Sequence, residues 1–206
     1  MQTFPAHWHP LVEITQLGRH GIENRETRKL VIGTHTGTHV DAPRHFVPDG
    51  QTIDLVQLSQ LVGPALVIDL SMVAKFQELN VSDISAKVEN RLLERVVLRF
   101  DWSDKFGTGE YYTDHPFLSE AAAHWLVDKG CRLLAMDTPM PDNPNNGRGC
   151  FKDSPNHKIL LGNGVILVEY LTNLRALRCN KITLVVAPLK IEHGDGAPAR
   201  VFAIEE

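Results

Sequence analysis

Three short apolar runs constrain the fold most: PALVIDL (64–70), RVVLRFD (95–101) and CRLLAMD (131–137). Each is too short for an ordinary helix and is rich in Leu, Val and Ile, which predicts buried strands. Helical patterns lie between them. SDISAKVENRLL (82–93) has Ser82 as an N-cap and Ile84, Val88 and Leu92 at helical spacing. SEAAAHWLVDKG (119–130) starts at Ser119 and stops at Gly130. A further apolar run, VILVEYL (165–171), is followed by KITLVVAPL (181–189) and ARVFAIEE (199–206), which close the sheet, while LVI at 30–32 leads in from the N-terminal side. Strands alternating with helices predict a mixed α/β class rather than a bundle. With 206 residues and no linker or internal repeat, the chain reads as a single domain, 1–206.

Composition narrows the function classes. There are 21 Lys and Arg against 25 Asp and Glu, a net charge of −4, and no basic run, so no electrostatic footprint for nucleic acid or an anionic membrane. No apolar stretch reaches the roughly 20 residues needed to span a bilayer, and the N-terminus lacks the pattern of a secretion signal. Three cysteines without CxxC spacing fit a reduced, cytoplasmic setting.

The ten histidines matter because they cluster. GTHTGTHVDAPRHF (33–46) holds His35, His39, Asp41 and His45. On a straight strand, residues four apart would stand about 13 Å from each other, too far to share an ion. With Gly37 and its β-branched neighbours the segment is a poor helix. A bend at Gly37 resolves this, with His39 and Asp41 on one face beyond it and Pro43 fixing the turn that carries His45. Imidazoles with a carboxylate suit zinc, manganese or iron rather than calcium or magnesium. The rival reading is a polar turn whose threonines and histidines bond locally.

A second segment completes the set. The loop 138–156, rich in Pro, Asn and Gly and without periodicity, leads directly to His157. Glu169 sits inside an apolar run, where a carboxylate is costly to bury without a partner; its alternative is the exposed face of an edge element. His35, His39, His157, Asp41 and Glu169 are too many for one catalytic zinc, which takes three protein ligands. A carboxylate can bridge, so two divalent ions, zinc or manganese, fit better. His45 is then left for proton transfer.

These residues resemble a known family. HTGTHVDAPRH fills every fixed position of the H-x-G-T-H-x-D-x-P-x-H motif of cyclase-family metal-dependent hydrolases, which include bacterial kynurenine formamidase and isatin hydrolase. LSEAAAHWLVDKGCRLLAMDTP, the step from His157 to Glu169 and DGAPAR (195–200) are also similar to family segments. The resemblance implies a swivelling β/β/α domain with a mixed sheet or barrel-like core and flanking helices. It implies a first metal on His35, His39 and Asp41, a second on His157, bridging by Asp41 and Glu169, and His45 as catalytic acid/base. It also implies a homodimer or homotetramer with sites near subunit contacts.

The implied activity is hydrolysis of an amide, lactam or related C–N bond by metal-activated water, arylformamidase-like, on a small and aromatic amide. Isatin or lactone opening on the same site is the alternative, as is a non-catalytic metal or small-molecule binding protein. The N-terminus departs from the family by lacking its Pro-Gly-x-Pro segment; Trp8 or Phe4 stands where the family places a substrate-facing aromatic. Trp102, Phe106, Tyr111 and Tyr112 are further stacking candidates, each more readily explained by packing. His115, His124 and His193 read as structural or exposed, and Asp195 as a turn former. Asp101 and Asp137 end expected strands, and Asp137 could orient a metal-binding histidine.

Overall fold

The computed structural model describes residues 9–88 and 92–205. Eleven strands and five α-helices are assigned among them. In chain order they are β1 Glu13–Gly18, β2 Thr27–Val31, β3 His39–Asp41, α1 Leu58–Leu61, β4 Val62–Asp69, β5 Glu78–Leu79, α2 Val81–Ser85, β6 Arg95–Arg99, α3 Gly109–Thr113, β7 Phe117–Leu118, α4 Glu120–Asp128, β8 Leu133–Met136, α5 Pro155–Gly162, β9 Ile166–Glu169, β10 Lys181–Pro188 and β11 Gly196–Ile204.

Seven of these strands close a barrel in the order β10-β11-β3-β9-β8-β6-β4. The apolar runs at 64–70, 95–101, 131–137 and 165–171 form its parallel half: β4, β6, β8 and β9 pair side by side in parallel. Their continuous hydrophobicity reflects burial on both faces. Alternate residues divide accordingly. Val40, Val67, Val97, Ala135, Val168 and Leu184 belong to one cluster, to which every barrel strand contributes, so it fills the interior. Leu66, Leu98, Leu134 and Leu167 turn the other way and pack with Leu126 of α4 and Leu160 of α5. The expected barrel-like core with flanking helices is what the chain forms.

The antiparallel half positions the site. β3 is only three residues long, yet it is wedged between β11 and β9. Its register sets His39 opposite Glu169, and Asp41 opposite Gly196. Val40 points into the barrel, so His39 and Asp41 point out of it, toward α5.

Local signals account for most boundaries. Ser119 caps α4 by accepting from the Ala122 amide at 3.2 Å, and Gly130 follows with φ +81°. The helix expected over 82–93 is shorter: α2 ends at Ser85, and residues 89–91 lie outside the described residues. It begins after Asn80, whose amide donates to Asp83 at 2.7 Å, so Ser82 is not the cap. Its apolar stripe also turns out of the core, from fully buried Ile84 to Leu92 at 75% exposure. β11 starts three residues earlier than expected, at Gly196, and α5 takes Pro155 and Asn156 from the end of the long loop. The β1–β2 hairpin was not anticipated beyond residues 30–32; both its strands are exposed almost throughout, so they show no buried face to read.

Candidate metal centre

Gly37, at φ +63°, makes the bend the sequence requires. Before it lies His35, after it His39 and Asp41, and the short 3-10 turn Pro43–His45 then swings His45 back toward them. His39 is fixed by a bond from its Nδ1 to the Gly37 carbonyl at 2.8 Å, which turns Nε2 toward the carboxylates. That Nε2 lies 3.1 Å from Asp41 Oδ1 and 3.4 Å from Glu169 Oε2. His35 Nδ1 lies 2.7 Å from the same Asp41 Oδ1.

The opposite pole is His157, in the first turn of α5. Its Nε2 is 3.5 Å from Asp41 Oδ2 and 3.3 Å from Glu169 Oε1. Each carboxylate therefore turns one oxygen to the His35–His39 side and the other to His157. Asp41 and Glu169 are 1% and 4% exposed, and among the described residues Asp41 Oδ2 and Glu169 Oε1 make no well-formed hydrogen bond, with only His157 Nε2 nearby. Two buried acceptors so poorly satisfied are expensive unless a cation meets them, a metal ion or the protonated His157. Ligand atoms of His39, Asp41 and Glu169 lie within 4.8 Å of one another, as do those of His35, Asp41 and His45. The residues present thus fit divalent transition ions, with Asp41 common to both groups.

Electrostatics without a cation show the same tension. Burial disfavours the His35 imidazolium, yet the Asp41 and Asp195 carboxylates outweigh it and raise its pKa to about 10. Burial likewise opposes the charged form of His157, and Asp142, Asp41 and Glu169 overcome it, raising the pKa well above the usual value. Burial raises the Asp41 pKa, but the facing histidines drive it well below the usual carboxylate range. Glu169 goes up, through burial and the neighbouring Asp41 charge. Protons on His35 and His157 occupy the places that a metal ion would take by displacing them.

All six residues singled out from the sequence meet here: His35, His39, Asp41, His157, Glu169 and His45. Two others were missed. Asp142 Oδ2 accepts from His157 Nδ1 at 2.6 Å, and its carboxylate also takes the amides of Asn156 and His157, capping α5 while orienting the imidazole. The sequence suggested Asp137 for that task. Asp137 instead accepts the Phe100 and Trp102 amides, each at 2.9 Å, and serves the backbone. Asp195, read as a turn former, places Oδ2 2.8 Å from His35 Nε2 and 3.2 Å from His45 Nδ1.

The centre opens into a cavity of about 730 Å³, within the range of small-molecule sites. Phe46 and Tyr170 line it, with Phe46 tilted 33° against the His157 ring at 4.8 Å and Tyr170 at 5.5 Å from His39. Pro139, Met140 and Pro144 of the long loop lie across it. Of the proposed stacking residues, Trp102, Tyr111 and Tyr112 are buried in the core and Phe106 is not in the wall; Trp8 and Phe4 lie outside the described residues. His115 is buried, while His124 and His193 are exposed. A second cavity, of about 690 Å³, is lined by residues such as Pro64, Arg95 and Lys181; its described wall has no histidine, aspartate or cysteine.

Comparison with known proteins identifies the family and the fold. Residues 1–143 match the family model "Cyclase: Putative cyclase". A curated kynurenine formamidase from Bacillus cytotoxicus is 30% identical over 180 residues, covering 84% of this chain and 78% of the relative. The crystal structure of an isatin hydrolase bound to the product analogue thioisatinate superposes with a TM-score of 0.86 at 28% identity, covering 98% of this chain and 86% of that one. A structure described as a potential metal-dependent hydrolase with cyclase activity gives 0.74 at 30% identity, over 93% and 86%. A match over more than half the chain, relatives at this level and a shared fold place it plainly: the chain belongs to the Cyclase family of metal-dependent hydrolases.

Proposed function

We propose that this chain is an arylformamidase-like amidohydrolase, cleaving the C–N bond of a small aromatic amide in the manner its kynurenine formamidase relatives are named for. The observation that carries the reading is the pair of buried carboxylates, Asp41 and Glu169, each divided between the His35–His39 pole and the His157 pole. His35, His39 and Asp41 would hold one divalent ion and His157 the other, with Asp41 and Glu169 between them. Zinc or manganese so held would polarise a substrate carbonyl and lower the pKa of water towards about 7.

The chain's own residues do the rest. His45 lines the cavity with Nδ1 engaged by Asp195, leaving Nε2 to take a proton and return it to the leaving nitrogen. Phe46 and Tyr170 offer aromatic faces for an aryl substrate. Pro139, Met140 and Pro144 add apolar surface to the cavity wall. A homodimer or homotetramer fits the β1–β2 hairpin, which leaves Ile14, Leu17 and Leu30 exposed, and three cysteines without CxxC spacing fit a cytoplasmic setting; among the described residues no helix is long and apolar enough to cross a membrane.

The test is a hydrolysis screen of N-formylkynurenine, isatin and simple lactones against protein loaded with zinc or manganese. Faster turnover of the formamide supports this reading. Preference for isatin, which the 0.86 superposition makes the second reading, moves the assignment to lactam opening. His45→Ala should cut turnover at least about 100-fold while the bound metal stays the same. Unchanged turnover, or loss of the metal, would remove His45 from its role, and no turnover of any substrate by the wild type would favour a binding protein.

A further inference from the structure

We propose that Asp195 is a positioning residue for proton transfer: its carboxylate fixes the tautomer and orientation of His45. This rests on the reading of His45 as acid/base. One oxygen, Oδ2, lies 2.8 Å from His35 Nε2 and 3.2 Å from His45 Nδ1, and the two rings stand 3.9 Å apart, tilted by 32°. A carboxylate only accepts, so Nδ1 of His45 carries the hydrogen. Nε2 is then the nitrogen with the free lone pair, which a base requires.

Asp195 is held there by its backbone. Its carbonyl accepts the Ala42 amide at 3.0 Å, one residue beyond β3, and the preceding Gly194 carbonyl accepts the Ile53 amide at 2.8 Å. Gly196 allows the approach. A Cβ at that position would lie 2.5 Å from the Val40 carbonyl oxygen and 2.9 Å from His35 Cε1. The segment 193–196 that looks like a turn in the sequence does turn, with the Gly194 amide donating to the Ile191 carbonyl at 3.0 Å, and its Asp-Gly pair is also the seam where β11 meets β3, which brings a carboxylate against two histidines. Half-buried at the edge of the cavity, Asp195 belongs to neither ligand group around Asp41. Its contribution passes through His45: it keeps the ring from rotating and stabilises the imidazolium that forms when Nε2 takes a proton.

The first test reads the tautomer. Long-range proton–nitrogen correlation spectra of zinc-loaded protein with ¹⁵N-labelled histidine, assigned with His45→Gln, should show His45 protonated at Nδ1 in the wild type. In Asp195→Ala that preference should be lost. A wild-type His45 protonated at Nε2, or the same spectrum in the variant, overturns the proposal. The second test uses whichever substrate the wild type hydrolyses. Asp195→Ala should lower kcat about 100-fold with KM and metal content unchanged, and added acetate should restore part of the loss. A rise in KM alone, loss of metal, or no response to acetate assigns Asp195 a merely structural part and overturns the proposal. If the wild type hydrolyses nothing, the proposed function falls, and the tautomer still decides the place of Asp195.

Discussion

His115 shows at the scale of one residue how burial becomes a measurable property. It is fully buried, Nδ1 contacts the Pro116 carbonyl at 3.1 Å, and Nε2 has no partner among the described residues. Burial lowers its pKa from 6.5 to about 4. The folded state therefore binds fewer protons than the unfolded one between these values. The stability this residue gives is complete above pH 6.5 and is lost as pH falls towards 4, on the order of 3 kcal/mol over the window. His115→Phe should flatten the fall in urea-unfolding stability between pH 7 and 4.5 relative to the wild type; parallel curves would refute the assignment.

The site residues divide by how visible they are. His35, His39, Asp41, His157 and Glu169 could be found because clustered imidazoles, or a carboxylate within VILVEYL, have few cheap alternatives. Asp142 and Asp195 could not. Aspartates beside Pro, Asn and Gly serve turns so often that only tertiary placement separates a cap or a histidine partner from a loop former. Asp137 misled for the same reason in reverse: it ends a strand, where sites gather, but the backbone takes its oxygens.

At the scale of elements, hydrophobic pattern reported burial and little else. β4, β6, β8 and α4 were legible because each buries a face or both. Which strands run parallel, and that β3 would lie between β11 and β9, was not legible, since three residues carry no periodicity. The β1–β2 hairpin was illegible because it buries almost nothing within its own chain. A lone two-stranded ribbon is marginal in water. Ile14 and Leu30 are direct cross-strand partners and are 57% and 59% exposed. Replacing both, Ile14→Glu with Leu30→Lys, should reduce the mass found by light scattering to that of a monomer. An unchanged oligomer would place the contact elsewhere, and a monomeric wild type would remove the assembly from the proposal.

At the scale of the whole molecule, the candidate ligands come from the bend at Gly37, from β3, from α5 and from β9, so a bound cation ties separate elements together. Anything that binds only the folded state stabilises it by mass action, about 2.7 kcal/mol at a hundred times its Kd. For a chain of this length that corresponds to roughly 5–10 °C in Tm. Chelation should lower Tm by about that much and zinc or manganese should restore it; an equal Tm with and without chelator would argue against a metal at this centre. The order of the ligands along the chain also has a consequence during synthesis. Glu169 is translated long after His35, and β11, which flanks β3 with Asp195 at its head, comes later still. A nascent chain leaving the ribosome carries the segment with His35, His39 and Asp41 for most of its elongation without the His157 and Glu169 that complete the candidate centre. On the proposed ligand set, metal loading would therefore be a late event that follows barrel closure.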